Sequence, residues 1–294
     1  MAKKNKAPVI FFIVTTVIGA GIMFYPAISE QISSWGHIEA ILTYHEELAQ
    51  VPDYRIEELL AQAHSFNQRV GTRPFGELEE EYLQMLRFGI TDVIGHVQIP
   101  DLQIDLPIFH GTSHSVLQRG VGHLEGYALP VGGENTHTAL SAHRGLPSAM
   151  LFTRLDEMEI GDIFVVRVLN EVLIYEVDQI REVLPNDTSY LATERGRDLA
   201  TLITCTPYGV NSHRLLVRGS RLDICYDELF TPAIPIGDFI NWESEPVTLP
   251  FQSQVLLASA ALALIIKIIL EIRQKRLREL YLKSNSNIGR SKLA

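Results

Sequence analysis

Between residues 94 and 222 the chain breaks into short strand-forming runs separated by turn residues, and this rhythm limits the fold more than any other feature. IGHVQIPDLQIDLPIFHG holds two runs with a turn near Pro100 and Asp101. THTALSAH alternates apolar and polar residues. DIFVVRV and VLIYEVD flank a turn at Leu169, Asn170 and Glu171, and LATLITC and RLLVRGSRL end the series. Many short strands with few helices predict a closed β-barrel or a sandwich. One helix is expected inside the series, over residues 147–158, with Pro147 at its start.

The segment before the strands has a different period. Over residues 35–68 apolar side chains recur at three and four, as in Ile38, Ile41 and Leu42, then Ile56, Leu59 and Leu60. Pro52 divides this segment into two helices, with Asp53 as cap or first-turn acid. Residues 70–77 carry Gly71, Pro74 and Gly76 and read as a loop. Residues 78–87 read as another short helix.

Two apolar runs flank this body. Residues 8–28 hold no charge in 21 positions, which as a helix is roughly 31 Å, about one hydrocarbon core. Lys3, Lys4 and Lys6 precede it. A cleaved signal peptide is the competing reading, but no small-x-small cleavage site follows. Residues 249–270 are the second run, weakened by Gln252, Gln254 and Lys267, and Arg273, Lys275, Arg276 and Arg278 come next. An amphipathic or core helix is the alternative there. Lys267 lies near the end and can snorkel. Basic residues favour the cytoplasmic side, so both termini are expected inside and residues 30–248 outside. The net charge of −10 argues against nucleic acid as a partner.

Cys205 and Cys225 are the only cysteines. A bridge needs Cα atoms within about 7 Å. If residues 201–205 and 214–219 form a hairpin, Cys205 faces the Arg214 end. Cys225 then lies 11 residues further on, roughly 30 Å away if extended, so no bridge is expected.

Cys205 has two readings. A lone thiol is commonly a buried, inert residue. This one ends a strand, just before Thr206-Pro207-Tyr208-Gly209 breaks the ladder, and Arg214 and Arg218 lie on the return strand. A guanidinium nearby favours the thiolate. A thiol nucleophile needs a proton partner, usually histidine. Among ten histidines, His143 stands at another strand end, in SAHRGLP. His213 neighbours Arg214, so the two point to opposite faces. The cysteines and histidines show no short-range clustering of the kind zinc needs, and no metal is expected.

TLITC followed nine residues later by Arg214, with SAHRGLP about sixty residues upstream, resembles a sortase. LPIFHGT, GVGHLEGYALPVGG, HRGLPSAMLFTRL and TCTPYGVNSHRLLVRG resemble class C, the pilin-polymerising sortases, and the likeness covers roughly residues 38–222. The resemblance implies an eight-stranded sortase barrel over residues 91–228. A basic flank and membrane helix (1–30) and a helical lead-in (31–90) would precede it. A linker (229–248), then a second membrane helix and basic tail (249–294), would follow. It also implies a cysteine transpeptidase, with His143, Cys205 and Arg214 at the catalytic positions and Thr204 as possible substrate or oxyanion support. The substrates would be pilin subunits with an LPXTG-like signal and an acceptor lysine, with the lipid bilayer as the anchor. No cofactor is implied. Attachment of proteins to a cell-wall precursor, and a non-enzymatic assembly scaffold, are the alternatives.

Class C sortases typically carry an Asp-Pro-aromatic lid before the barrel. At that loop this chain has Thr72, Arg73, Pro74 and Phe75, so an arginine stands where the acid is expected. Phe75 is expected to cover the thiol without an acidic latch, and the alternative is a plain loop over residues 70–77.

Overall fold

The computed structural model describes residues 7–223, with side chains from Phe11 onward except that of Ile13. They lie in the first of two compact units, Met1–Leu229; the second is Phe230–Ala294. Cys225, the expected linker and the second apolar run lie outside the described residues.

Eight strands close into a barrel in the order β1-β2-β3-β4-β7-β8-β6-β5. They are β1 (Val93–Ile99), β2 (Ile104–His110), β3 (Val121–His123), β4 (Thr136–Ser141), β5 (Ile163–Val168), β6 (Glu171–Val183), β7 (Asp198–Thr206) and β8 (His213–Arg221). The barrel alternative of the sequence reading is the one found. β2 and β3 run parallel, as do β4 and β7, and the other neighbours are antiparallel. β1 pairs with β5 to complete the ring.

The interior fills with side chains from alternate positions, among them Ile108, Leu140, Phe164, Leu202 and Val217, all buried. Phe164 and Tyr175 stack at 5.3 Å between ring centres. Gly219 faces that stack, and a Cβ there would lie 2.6 Å from the Phe164 ring. Only glycine leaves room at this point on β8.

Two helices cover the barrel. Helix α2 (Asp53–Asn67) turns Ile56, Leu59, Ala63 and Phe66 into the barrel core, a three- and four-residue spacing that makes one apolar stripe. Pro52 stands at its N-cap and Asp53 in its first turn, as the sequence indicates. The Asn67 side chain donates to the Leu129 carbonyl at 3.0 Å and accepts from the Leu129 amide at 2.7 Å, pinning the end of α2. Helix α1 (Ala7–Leu48) lays its C-terminal part on the outside of β1 and β2, where Tyr44 packs with Val93 and Phe109. The Glu47 carboxylate there accepts from the Ile90 and Thr91 amides. With α1 outside and the core inside, every residue of β1 is buried.

Phe11, Phe12, Val14, Val17, Ile18, Ile22 and Met23, in the first apolar run, are exposed on α1. Among the described residues no helix is long and apolar enough to cross a membrane. That run begins at Pro8, ahead of the first described side chain.

Two expected helices differ. Residues 78–87 hold only the single turn α3 (Glu79–Tyr82). Residues 147–158 are turns ending in a 3₁₀ turn at Leu155–Glu157. Their helix-like spacing comes from core anchors: Ala149, Leu151, Phe152, Leu155 and Met158 are all buried. The backbone bonds elsewhere, because the Phe152 amide donates to the His143 carbonyl at 3.2 Å. Tertiary contacts override the local pattern.

Candidate active site

The site lies on the outer face of the sheet made by β4, β7, β8 and β6. Side chains alternate along each strand, so residues two apart share a face. On β7 these are Thr201, Ile203 and Cys205, and on β8 Arg218, Leu216 and Arg214. The register pairs them as Thr201 with Arg218, Ile203 with Leu216, and Cys205 with Arg214. Arg214 in turn pairs with Val183 on β6. The hairpin thus sets thiol and guanidinium directly opposite each other, where side chains on one face approach to about 5 Å at Cβ.

His143 arrives from β4. That strand is parallel to β7 and its register ends at Ser141 with Ile203. Two bonds carry the pairing further: the Ala142 amide donates to the Ile203 carbonyl at 3.1 Å, and the Thr204 hydroxyl donates to the Ala142 carbonyl at 2.9 Å. His143 follows at the level of Cys205. Behind it, Arg144 donates to the Thr206 hydroxyl oxygen at 3.3 Å and forms an ion pair with Asp156. The turn region 147–158 therefore braces the histidine.

His143, Cys205, Arg214 and Thr204 line one cleft of about 270 Å³. Its floor is apolar, with Val183, Leu191, Ile203 and Leu216 packed together beside Leu124. One wall is the β6–β7 segment, through Pro185, Asp187, Thr188 and Leu191. Cys205 is a free, half-buried thiol. His143 Nε2 is buried and has no hydrogen-bond partner among the described residues. Burial, and then the neighbouring His114, hold the His143 imidazole below its usual pKa. The His114 ring stands edge-on to it at 6.1 Å between centres.

Arg214 Nη1 donates to the carbonyls of His213 at 3.0 Å and Asn211 at 3.3 Å. Among the described residues no carboxylate pairs with it, so the guanidinium keeps donors for another acceptor. Thr204 is buried and its hydroxyl proton goes to Ala142, which makes it a link between the strand ends that carry Cys205 and His143.

The loop expected to cover the thiol lies elsewhere. None of residues 70–77 is among those lining the cleft. Phe75 sits edge-on to Tyr82, 5.4 Å between centres, half-buried against the barrel core. Arg73 and Pro74 are exposed, and Arg73 faces the Glu81 carboxylate, whose pKa it helps to lower after the Arg69 hydrogen bond. An arginine in this loop thus meets an acid of α3 and not Arg214.

Sequence reading missed the Ala142–Thr204 link, the His114 neighbour and the wall at Leu191. Only the first had a local signal, a threonine one residue before the cysteine.

A thiol, an imidazole and an unpaired guanidinium around one cleft are the parts an acyl transfer uses. The Sortase domain family matches residues 97–222. Sortase A of Streptococcus agalactiae is 33% identical over 117 residues, 39% of this chain and 47% of that protein. Sortase D of Bacillus subtilis is 30% identical over 44% of this chain and 63% of its own length. The chain thus spans less than two thirds of either curated relative. The crystal structure of sortase C1 from Streptococcus agalactiae is 42% identical, covering 64% of this chain and 100% of that one, with a TM-score of 0.61. Sortase C from Streptococcus pneumoniae is 47% identical over 63% and 97%, with a TM-score of 0.59. By its barrel, its cleft and these likenesses, the chain belongs to the sortase family and, within it, to class C.

Proposed function

We propose that the chain is a membrane-anchored cysteine transpeptidase that polymerises pilin subunits at the cell surface. The observation that carries this reading is the row of Cys205 and Arg214, paired across β7 and β8, with His143 joining at the same level from β4. The pneumococcal sortase C structure, described in terms of catalysis and pilin substrate specificity, supports the choice of substrate.

The Cys205 thiolate attacks the carbonyl between Thr and Gly of an LPXTG-like signal. The C–N bond breaks, a thioester forms to the threonine, and the glycine amine leaves with a proton from His143. A lysine amine of a second pilin then attacks the thioester. His143 takes its proton, the thiolate is released, and an isopeptide bond remains. Water is the slow competing acceptor. A free thiol is mostly protonated near neutral pH, and the attack needs the thiolate. Arg214 donates to the carbonyl oxygen as negative charge builds there, and loss of a comparable donor costs about 10²–10³ in rate. The apolar floor at Val183, Leu191, Ile203 and Leu216 fits the leucine end of the signal. It begins two residues from the thiol along β7, and an extended peptide rises about 3.3 Å per residue.

The exposed apolar face of α1 supports an anchor at the N-terminus. A second span over residues 249–270 completes the two-pass reading, with the catalytic unit outside and both termini in the cytoplasm. Co-expression with candidate pilins tests the function: a high-mass ladder forms with the wild type and disappears in Cys205→Ala. A ladder that persists in that variant contradicts it.

A further inference from the structure

Beyond the catalytic row, the same outer sheet face carries a closed ring of four charges. Arg218 on β8 lies four residues from Arg214 and opposite Thr201. Its Nε and Nη2 donate to the two Asp178 oxygens at 2.9 and 3.1 Å, and its Nη1 to Glu194 Oε1 at 2.6 Å. Arg197 closes the ring, donating to Glu194 Oε2 at 2.5 Å and to Asp178. Asp178 belongs to β6, whereas Glu194 and Arg197 belong to the segment between β6 and β7. The ring therefore fastens that segment to the sheet.

The ring is built to hold. The Arg218 side chain is only 12% exposed, so its bonds are partly shielded from water and salt. Burial works against the Asp178 charge, yet the hydrogen bonds of Arg218 and Arg197 override it and keep its pKa below the usual range. A second tie lies beside it. His137 Nδ1 donates to the Ala192 carbonyl at 2.9 Å, and His137 Nε2 accepts from the Thr201 hydroxyl at 2.7 Å.

None of the four charges lines the cleft, but Leu191, three residues before Glu194, does. It is 4% exposed and packs on Ala139, Val183, Ile203 and Leu216. Between Val183 and Leu191 the wall's side-chain hydrogen bonds are local, from Ser189 to Asp187. The ion pairs that tie the wall to the sheet thus lie at its far end. Ordering a loop costs conformational entropy, and a loop already ordered spares that cost when a ligand binds.

We propose that Arg218 is a positioning residue for substrate recognition. Through the Asp178–Glu194–Arg197 ring it holds the Leu191 wall over the apolar floor, ready for the apolar residue of an extended sorting-signal peptide. This rests on the transpeptidase reading of the same cleft. Arg218 touches neither the thiol nor the peptide, so its loss acts on binding and spares the chemistry.

The test uses the full chain in detergent, with Arg218→Gln, Arg218→Lys and Glu194→Gln beside the wild type. With an LPXTG-type peptide, Arg218→Gln raises KM about ten-fold and leaves kcat within about two-fold, as expected for lost ground-state binding. Arg218→Lys recovers part of the loss, since one ammonium replaces a bidentate fork. Labelling of Cys205 by a small thiol reagent stays at the wild-type rate. Hydrogen exchange of the amides over residues 184–194, which needs no turnover, accelerates in Arg218→Gln. Unchanged KM, a fall in kcat at constant KM, or unchanged exchange overturns the proposal. If Arg218→Gln does not fold, Glu194→Gln decides by the same KM and exchange readings. A wild type that cleaves no such peptide defeats the transpeptidase reading alone, and the exchange result still judges the ring.

Discussion

The Thr204 hydroxyl donates to the Ala142 carbonyl at 2.9 Å, joining the residue before Cys205 to the residue before His143. The two strand ends that carry the thiol and the imidazole are held in step by this side-chain bond and by the ladder bond from the Ala142 amide to Ile203. Thr204→Val keeps the shape and the strand propensity but leaves a buried carbonyl without that donor. It should cost about 1–3 kcal/mol of stability, read from denaturant midpoints. It should also slow peptide cleavage roughly ten-fold as His143 loosens. Thr204→Ser should restore most of both, and equal rates for valine and serine would count against the link.

Phe75 rests on Tyr82, outside the cleft. Phe75→Ala should therefore lower stability, by about 1–3 kcal/mol for a half-buried aromatic, and leave thiol labelling of Cys205 unchanged. Arg73→Asp should not slow labelling either, because the new acid faces Glu81. Faster labelling in Phe75→Ala would mean that the ring does cover the thiol.

His143 is made harder to protonate by burial first and by His114 second. His114→Gln removes the second cause only. The imidazolium then becomes easier to form, so the His143-dependent limb of the pH–rate profile should move to higher pH. A limb that stays in place would contradict the coupling.

Inside the core, the Tyr82 hydroxyl donates to His123 Nδ1 at 3.0 Å, and His123 Nε2 donates to the Ala128 carbonyl at 2.8 Å. The neutral ring satisfies both partners, and burial holds its pKa down to about 4. In the unfolded chain a histidine titrates near 6.5. Between those values the unfolded state binds a proton that the folded state does not, so stability is lost as pH falls from about 6.5 to about 4. His123 alone accounts for about 3 kcal/mol across that window. Urea midpoints compared at about pH 7 and about pH 4 check it, and equal midpoints would refute it.

The strand rhythm after residue 94 and the helical spacing before it were legible because both are local. So was the facing of Cys205 and Arg214, which needs only a hairpin. The segment 147–158 was misread because Phe152 and Leu155 have helical spacing, while the Phe152 amide is taken by the His143 carbonyl. The loop at Phe75 was legible as a loop, but its partner was not: Tyr82 and Glu81 follow it closely in sequence and turn towards it in space. The Leu191 wall and the Arg218 ring depend on the β6–β8 register, which shifts between Val177 and Gln179, and no local pattern encodes that.

The central claim is that Cys205 carries the acyl group. The direct measurement is intact-mass and peptide-mapping spectrometry of the full chain mixed with an LPXTG-type peptide. The predicted result is an adduct on Cys205 with the mass of the peptide cut after threonine, labile to hydroxylamine and missing in Cys205→Ala. Cleavage without such an adduct, or an adduct that survives in Cys205→Ala, would contradict the account.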